Sequence, residues 1–382
     1  MPWLHLCLLA MLVVLHLKSC YYFSIMRLFT PGPVQIPSFV LEAFCEPSIH
    51  HRSLQFKSLF KETQRLYQEF ISCSELPVFL ASSGTGGMEA ALINSVSRDD
   101  LVLSINLGKF GERWAYICKA FNLPYVEIKK ELGEAITPLE LINKCRELSP
   151  SVIALQHCET STGVLLDLKQ YTIPLKEEFK DLMIIVDAIS TGGVEIINQE
   201  ELKIDILICA SQKGFMLPPG LSILSFSKDA KEKILSNKDV SSFYFSLKTE
   251  INMQEKGGSA WTTATHHIKA LNVLLKYLLN KGIRKVHSEV AEKALYFREE
   301  IFKRGFLSFP KPPYIANSVA ALLPPKNILA EELREKLLSR YGYLIAGGQA
   351  ELKGKIVRVS FMGDNSLEEF SSLLKAIDNC IN

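Results

Sequence analysis

Residues 183–213, MIIVDAISTGGVEIINQEELKIDILICASQK, contain two apolar runs that both end in polar residues. The run at 183–186 leads into Asp187, and the run that begins at residue 204 leads into Ser-Gln-Lys, which ends at Lys213. Continuous apolar runs rich in β-branched residues are typical of strands that are buried on both faces of a parallel sheet. Because ligands of open α/β sheets bind at the carboxyl ends of the strands, Asp187 and Lys213 are predicted to lie at one edge.

The same alternation of apolar runs and helical spacing continues on both sides of this stretch. Further strands are predicted at 77–80, 101–105, 125–128, 152–155 and 221–226, and helices at 87–95, 112–121, 138–148 and 265–281. Strands that alternate with helices along a chain form a sheet whose faces are covered by helices. The sequence therefore predicts the α/β class, with a large domain built on a mostly parallel sheet.

The pattern changes after Gly282, where a helix is followed by short strands at 318–323 and 356–361, with helices between and after them. A chain of 382 residues is long for a single core, since single hydrophobic cores stop growing at roughly 250–300 residues. We therefore expect a large domain with an N-terminal arm at 26–282 and a smaller C-terminal α+β domain at 283–382.

An apolar run at 4–17 lies within the first 25 residues. Its length suits the core of a signal peptide better than a membrane span, which needs about 20 apolar residues. No cationic residue precedes the run, and no small-x-small cleavage site follows it. We expect the globular protein to begin near Met26, with residues 1–25 as a disordered extension or a mis-assigned start. A signal or anchor segment is the alternative.

The composition limits the classes of partner. A formal net charge of +2 with 22% charged residues gives no sign of the basic surface that nucleic-acid binding needs. Nine cysteines without a C-x-x-C pair indicate neither a zinc site nor a disulfide framework. We therefore expect a cytoplasmic protein in a reducing compartment, without bound metal, nucleic acid or a stable membrane association.

Residues 82–87, SSGTGG, form a glycine-rich stretch between the predicted strand at 77–80 and the helix that follows. Glycines allow a tight turn, and free N–H groups at a helix N-terminus form a site for an anion such as phosphate. No G-K-[ST] follows, so the stretch is not the phosphate loop of a nucleoside triphosphatase. A purely structural strand-to-helix turn is the alternative.

Asp187 and Lys213 have side chains that suit a buried site. An unpaired carboxylate is costly to bury, so Asp187 is expected to face a cation such as a protonated ring nitrogen. A helix N-cap or a structural ion pair is the alternative for this residue. Lys213 follows an apolar strand and precedes the stiff Pro-Pro-Gly turn at 218–220. Partial desolvation favours its neutral amine, which can form an imine with an aldehyde.

Six stretches, in order along the chain, resemble the motifs of the class V aminotransferases, and most closely those of the serine/alanine–glyoxylate (serine–pyruvate) branch. They are FTPGP at 29–33, SGTG at 83–86, HCETSTG at 157–163, VDAIS at 186–190, SQKG at 211–214 with PPG at 218–220, and GGQ at 347–349 with KGKIVR at 353–358. The resemblance spans about residues 28–375. It implies an enzyme of pyridoxal 5′-phosphate (PLP) fold-type I that forms a homodimer with active sites at the subunit boundary.

The resemblance implies roles for residues at matching positions. Lys213 resembles the lysine that holds PLP as a Schiff base, and Asp187 resembles the partner of the pyridine nitrogen. Arg358 resembles the arginine that binds the substrate carboxylate, a role that suits its planar guanidinium. The other implied cofactor-binding residues are Ser83, Gly84, Thr85, Phe110, Thr160, Ile189 and Gln212, with Gly32 beside the substrate.

Two further features follow from the resemblance. Members of the family send residues of one subunit into the phosphate site of its neighbour, and Thr262 and Thr265 are the expected ones here. Relatives in this branch commonly stack a tryptophan on the pyridine ring, whereas this chain offers Phe110, whose aromatic face can stack as well. His157 and Cys158 are expected to line the wall of the pocket.

The expected activity is transamination by a ping-pong mechanism, with serine or alanine as amino donor and a 2-oxo acid such as glyoxylate or pyruvate as acceptor. Lys213 is expected to move the α-proton as a general base and acid. A cysteine desulfurase needs a mobile thiol in the C-terminal third, and no cysteine lies between Cys209 and Cys380, which argues against desulfuration. A 2-aminoethylphosphonate transaminase and a non-catalytic scaffold are the alternatives.

Overall fold

A computed structural model describes residues 26–381, and the expectations for residues 1–25 lie outside this range. The helices are α1 (Ser38–Cys45), α2 (Leu54–Ile71), α3 (Gly84–Ser95), α4 (Glu112–Ala120), α5 (Pro138–Leu148), α6 (Leu168–Glu178), α7 (Lys228–Ser236), α8 (Leu247–Gln254), α9 (Thr265–Lys281), α10 (Ile283–Phe302), α11 (Ala330–Tyr341) and α12 (Leu367–Ile381). The strands are β1 (Arg27–Leu28), β2 (Val78–Leu80), β3 (Val102–Asn106), β4 (Tyr125–Lys129), β5 (Val152–Gln156), β6 (Cys158–Glu159), β7 (Val164–Leu165), β8 (Met183–Asp187), β9 (Ile206–Ala210), β10 (Ser222–Phe226), β11 (Leu307–Ser308), β12 (Val319–Leu323), β13 (Tyr343–Leu344), β14 (Ala346–Gly347) and β15 (Val357–Ser360).

A seven-stranded sheet with the strand order β2-β10-β9-β8-β5-β3-β4 forms the centre of the larger part of the chain. Strands β3, β4, β5, β8 and β9 pair in parallel, whereas β10 runs antiparallel to both of its neighbours. Every residue of β3, β5, β8, β9 and β10 is buried, as expected for strands covered on both faces. The predicted α/β class and mostly parallel sheet are confirmed.

The carboxyl ends of six strands lie at one edge of this sheet. Gln156 at the end of β5 pairs with Asp187 at the end of β8. Ser222 of β10 pairs with both Leu80, at the end of β2, and Ala210, at the end of β9. Because β3 is parallel to both β4 and β5, the segments that follow β2, β3, β4, β5, β8 and β9 all leave the sheet on the same side. Asp187 and the segment that leads to Lys213 therefore share this edge, as predicted.

Helix α3 begins at Gly84, three residues before the start that the sequence pattern predicts. Glycine disfavours helix interiors, so a glycine-rich first turn resembles a loop in sequence. In the structure a Cβ atom at Gly84 would overlap the Ile189 side chain, and a Cβ at Gly87 would lie 3.0 Å from Cγ2 of Ile208. The glycines therefore let the start of the helix lie directly against β9 and the segment that follows β8.

A second sheet, with the antiparallel order β11-β12-β15-β14, lies in the C-terminal part of the chain. Helices α10, α11 and α12 pack around a separate core that contains Phe297, Leu337 and Leu374. The N-terminal arm also joins this part, because β1 pairs with β13 and Phe29 lies in the same core. The domain boundary after Gly282 stays a prediction. None of the helices at 26–381 is both long and apolar enough to cross a membrane.

Candidate active site

Lys213 lies in the turn that follows β9. Its side chain is 8% exposed, and Nζ donates a hydrogen bond to the carbonyl oxygen of Pro31. Burial lowers the pKa of this amine to about 8, although the charge of Asp187 opposes the shift. At pH 7 about one-tenth of the amine is therefore unprotonated, as a nucleophile or a base requires. A Cβ atom on Gly32 would lie 2.6 Å from Cδ of Lys213, so this close approach needs glycine.

Asp187 ends β8 and is 5% exposed. Its Oδ1 accepts a hydrogen bond from the N–H of Ile189 at 2.8 Å, and the carboxylate forms no salt bridge within the described residues. Burial raises its pKa to about 6, and the neighbouring charge of Glu159 adds to the rise, while Arg113 and Lys213 oppose it. A buried carboxylate without a counterion fits a ligand that carries a positive charge.

The N-terminus of α3 offers free hydrogen-bond donors at the same edge. Ser83 is the N-cap residue, and its side chain makes no capping bond. The N–H groups of Gly84 and Thr85 donate to no residue in the described range, as is usual in a first helical turn. These free N–H groups can bind an anion. The Oε1 atom of Gln212, which is an acceptor, is also buried without a partner among the described residues.

The carboxylate of Glu159 holds the loop that carries Phe110. It is fully buried and accepts hydrogen bonds from the N–H groups of Phe110 at 3.1 Å, Gly111 at 2.9 Å and Ser161 at 3.1 Å. The hydroxyl of Ser161 donates a fourth bond at 2.5 Å. Burial raises the pKa of Glu159, and these donors oppose the shift. The ring of Phe110 is thereby held with its centroid 5.9 Å from Nζ of Lys213.

Arg358 reaches the pocket from the four-stranded sheet. It is 5% exposed, and it donates from Nη1 to the carbonyl oxygen of Thr160 and from Nε to that of Gly347, both at 2.9 Å. Burial lowers its pKa to about 10, although Glu159 opposes the shift. Thr160 is anchored in turn, because its hydroxyl lies 2.6 Å from that of Ser190. Within the described residues Arg358 forms no salt bridge, so its charge is free to bind an anionic group.

Of four other residues expected at the site, two lie beside the pocket and two are threonines without a hydrogen bond to Lys213. His157 and Cys158 are buried beside it, with burial lowering the pKa of His157 to about 4 and raising that of Cys158 to about 12. Thr262 is exposed, and Thr265 is the first residue of α9. No hydrogen bond within the described chain joins either threonine to Lys213. A role of these threonines in the site of a neighbouring subunit stays a prediction.

Two side chains of the pocket are missing from the residues that the sequence pattern predicts. Glu159 lies within the HCETSTG stretch, but its function as an acceptor depends on contacts with a loop 48 residues away. Arg113 lies in a predicted helix, and its Nη1 donates to Oγ1 of Thr85 at 2.9 Å. No local spacing in the sequence indicates this contact, because Thr85 lies 28 residues away along the chain.

The sequence matches the family model for aminotransferase class V over residues 32–373. A Helicobacter pylori protein named as an uncharacterized aminotransferase is 32% identical over 360 residues, which are 94% of each chain. The serine–glyoxylate aminotransferase of Methylorubrum extorquens is 28% identical over 91% of this chain and 88% of its own. These matches span nearly the whole chain, so they concern the complete fold and not one motif.

A solved aminotransferase structure is also similar to this chain over nearly its whole length. The aspartate aminotransferase of subgroup IV from Thermus thermophilus superposes with a TM-score of 0.86, at 28% identity, over 93% of this chain and 99% of its own. The prediction of a PLP fold-type I architecture is thereby confirmed. The chain belongs to the class V aminotransferase family, and it is a transaminase.

Proposed function

We propose that this chain binds PLP on Lys213 and transfers amino groups from a small amino acid, serine or alanine, to a 2-oxo acid such as glyoxylate or pyruvate. The proposal rests above all on three buried charges, Lys213, Asp187 and Arg358, none of which forms a salt bridge within the described residues. Buried charges without counterions are costly unless a ligand supplies complementary groups. PLP and an amino-acid substrate together offer an aldehyde, a basic ring nitrogen, a phosphate and a carboxylate, which match the parts of this site.

The cofactor-binding residues divide between the ring and the phosphate. Asp187 would hold the proton on the ring nitrogen, because its carboxylate is buried and forms no salt bridge within the described residues. Phe110 would stack on the ring, with Thr160 and Ile189 as further contacts. The phosphate would bind at the N-terminus of α3, next to Ser83, Gly84 and Thr85. Gln212, which follows β9, would be a further contact.

When bound, PLP supplies an electron sink that stabilises negative charge on the substrate α-carbon. Lys213 would hold and move the α-proton, since a pKa of about 8 lets the amine accept and return a proton near neutral pH. Its approach past Gly32 places the amine in the pocket and not in solvent. The burial of the surrounding side chains keeps water from competing for this proton.

Arg358 would bind the substrate carboxylate and so orient the α-carbon toward Lys213. Its hydrogen bonds to two main-chain carbonyl groups fix the plane of the guanidinium before the substrate arrives. A preorganised planar fork recognises a carboxylate better than a flexible ammonium does. Both the amino donor and the oxo acceptor carry such a carboxylate, so one arginine would serve both half-reactions.

We further propose a homodimer in which Thr262 and Thr265 complete the phosphate site of the neighbouring subunit. Thr262 is exposed and Thr265 is half-buried at the start of α9, so neither is enclosed within its own chain. The choice of serine as donor is supported by the relative named serine–glyoxylate aminotransferase, and the structural neighbour named aspartate aminotransferase makes aspartate the first competing donor to test.

The test is an absorbance spectrum of the purified protein with PLP, titrated in turn with L-serine, L-alanine, L-aspartate and 2-aminoethylphosphonate. The visible band of lysine-bound PLP should disappear with serine or alanine and return on addition of glyoxylate. A response to aspartate or 2-aminoethylphosphonate alone would keep transamination but overturn the donor class. If no band forms and Lys213→Ala leaves the spectrum unchanged, the protein is a scaffold and not a catalyst.

A further inference from the structure

Arg113 projects from the first turn of α4 toward the N-terminus of α3. Its Nη1 donates to Oγ1 of Thr85 at 2.9 Å, and its Cζ lies 5.0 Å from the ring centroid of Phe110. The guanidinium therefore spans the space between the aromatic ring proposed to stack on the cofactor and the helix end proposed to bind the phosphate. Thr85 occupies one of the five N–H donors of the guanidinium, which leaves others for a ligand.

The charge of Arg113 has no carboxylate partner in the described part of the chain. Arg146 and Arg304, by contrast, each form a salt bridge at 2.7 Å or less. The guanidinium nevertheless acts on the pocket, because its charge lowers the pKa of both Asp187 and Lys213. An arginine that faces a pocket and lacks a counterion is suited to an anionic ligand, and Arg is the residue that binds phosphate in bidentate geometry.

We propose that Arg113 is a ligand of the cofactor phosphate, adding a full positive charge to the free N–H groups of Gly84 and Thr85. This inference rests on the proposed PLP function and assigns to the site a residue that the family motifs in the sequence do not indicate. The bond to Thr85 sets the arginine at the phosphate end of the pocket. The substrate carboxylate is left to Arg358, which is held at Thr160 by its own bonds.

The test compares two ligands that differ only in the phosphate. Apparent Kd values for PLP and for pyridoxal are measured with the apoprotein by titration of the visible band, for the wild type and for Arg113→Gln. Loss of one charge-assisted contact should raise the Kd for PLP by about 10- to 100-fold, while that for pyridoxal changes less than about threefold. Arg113→Lys keeps the charge but not the planar guanidinium, so its affinity for PLP should lie between those of the wild type and Arg113→Gln.

Lys119→Gln is the matched control, since Lys119 lies on the same helix with an exposed side chain and its loss removes the same charge. It should leave both Kd values unchanged. An equal loss of affinity for PLP and pyridoxal in Arg113→Gln, or no loss for either, would overturn the phosphate role. If Arg113→Gln does not fold, Arg113→Lys takes its place. A ratio of the Kd for PLP to the Kd for pyridoxal equal to that of the wild type would then overturn the phosphate role. A wild type that forms no band with either ligand would overturn the PLP function itself, and this inference with it.

Discussion

Nη1 of Arg358 donates to the carbonyl oxygen of Thr160 across 2.9 Å, and this bond joins the four-stranded sheet to the segment that follows β5 of the seven-stranded sheet. Arg358 belongs to β15 of the four-stranded sheet, while Thr160 follows β6, close to the end of β5 in the seven-stranded sheet. The position of the guanidinium is therefore set by the main chain of both parts. Any change in how the two parts pack would move the proposed carboxylate site relative to Lys213.

Arg358→Lys should weaken the binding of both substrates. Lysine cannot reproduce the two carbonyl bonds and a bidentate carboxylate contact at once, so kcat/KM should fall by about 10- to 100-fold for the amino donor and the oxo acceptor alike. Steady-state kinetics with each substrate varied in turn would measure this. Arg340→Lys, at an exposed position on α11, is the control. A loss confined to one of the two substrates would contradict a shared carboxylate site.

Gly32→Ala should displace the Lys213 side chain and so prevent it from binding PLP. Gly32 has φ of +108°, and a Cβ atom there would lie within 2.6 Å of Cδ and Cε of the lysine. Gly305→Ala is the matched control, because Gly305 has φ of +79° but its nearest Cβ contact would be an ordinary 3.4 Å. Both variants carry a backbone cost of about 1–2 kcal/mol in unfolding free energy. Only Gly32→Ala should lose the visible PLP band; its retention would show that Lys213 needs no such close approach.

The positions of several site residues could be predicted from local sequence. Strands that are buried on both faces are apolar, and the residues that follow parallel strands lie at the same edge of the sheet. Asp187 and Lys213 are examples, since each comes at or just after the end of a buried strand. The antiparallel direction of β10 could not be predicted from its sequence. An apolar run is the same whether the strand is parallel or antiparallel to its neighbours, so direction depends on the connection and not on the run.

Lys213→Met should stabilise the apoprotein at neutral pH. Burial lowers the pKa of Lys213 from 10.5 to about 8, so between these pH values the unfolded chain binds more protons than the folded chain, and wild-type stability rises with pH. Below pH 8 the folded protein carries the full cost of burying the charged amine, on the order of 3 kcal/mol. The difference in Tm between variant and wild type should thus be largest below pH 8 and shrink toward pH 10.5. A difference that is constant with pH would contradict the depressed pKa.

Glu159→Gln should weaken PLP binding as well as folding. The amide cannot accept all four bonds that the carboxylate accepts from Phe110, Gly111 and Ser161, and a buried donor left without a partner costs about 1–3 kcal/mol. The matched control is Glu250→Gln, another buried glutamate that accepts bonds from Gln254 and Ala260. Both variants should lower Tm, and only Glu159→Gln should raise the Kd for PLP. Equal PLP affinity in the two variants would show that Glu159 is merely structural.

Glu159 and Arg113 also show where sequence reasoning ends. Each acts through a contact with a residue far away along the chain, Gly111 for the first and Thr85 for the second. Such a contact depends on the relative positions of loops from neighbouring strands, which no local spacing encodes. The fold class could therefore be predicted from the pattern of strands and helices, whereas the residues that support the pocket required the assembled chain.

The most direct measurement is chemical trapping of the cofactor. The protein is loaded with PLP, reduced with borohydride, digested, and analysed by mass spectrometry for the peptide that carries the phosphopyridoxyl group. We expect the group on Lys213, and neither label nor transamination in Lys213→Ala. A label on a different lysine, or transamination that survives in Lys213→Ala, would contradict the assignment of Lys213 as the residue that holds PLP and moves the proton.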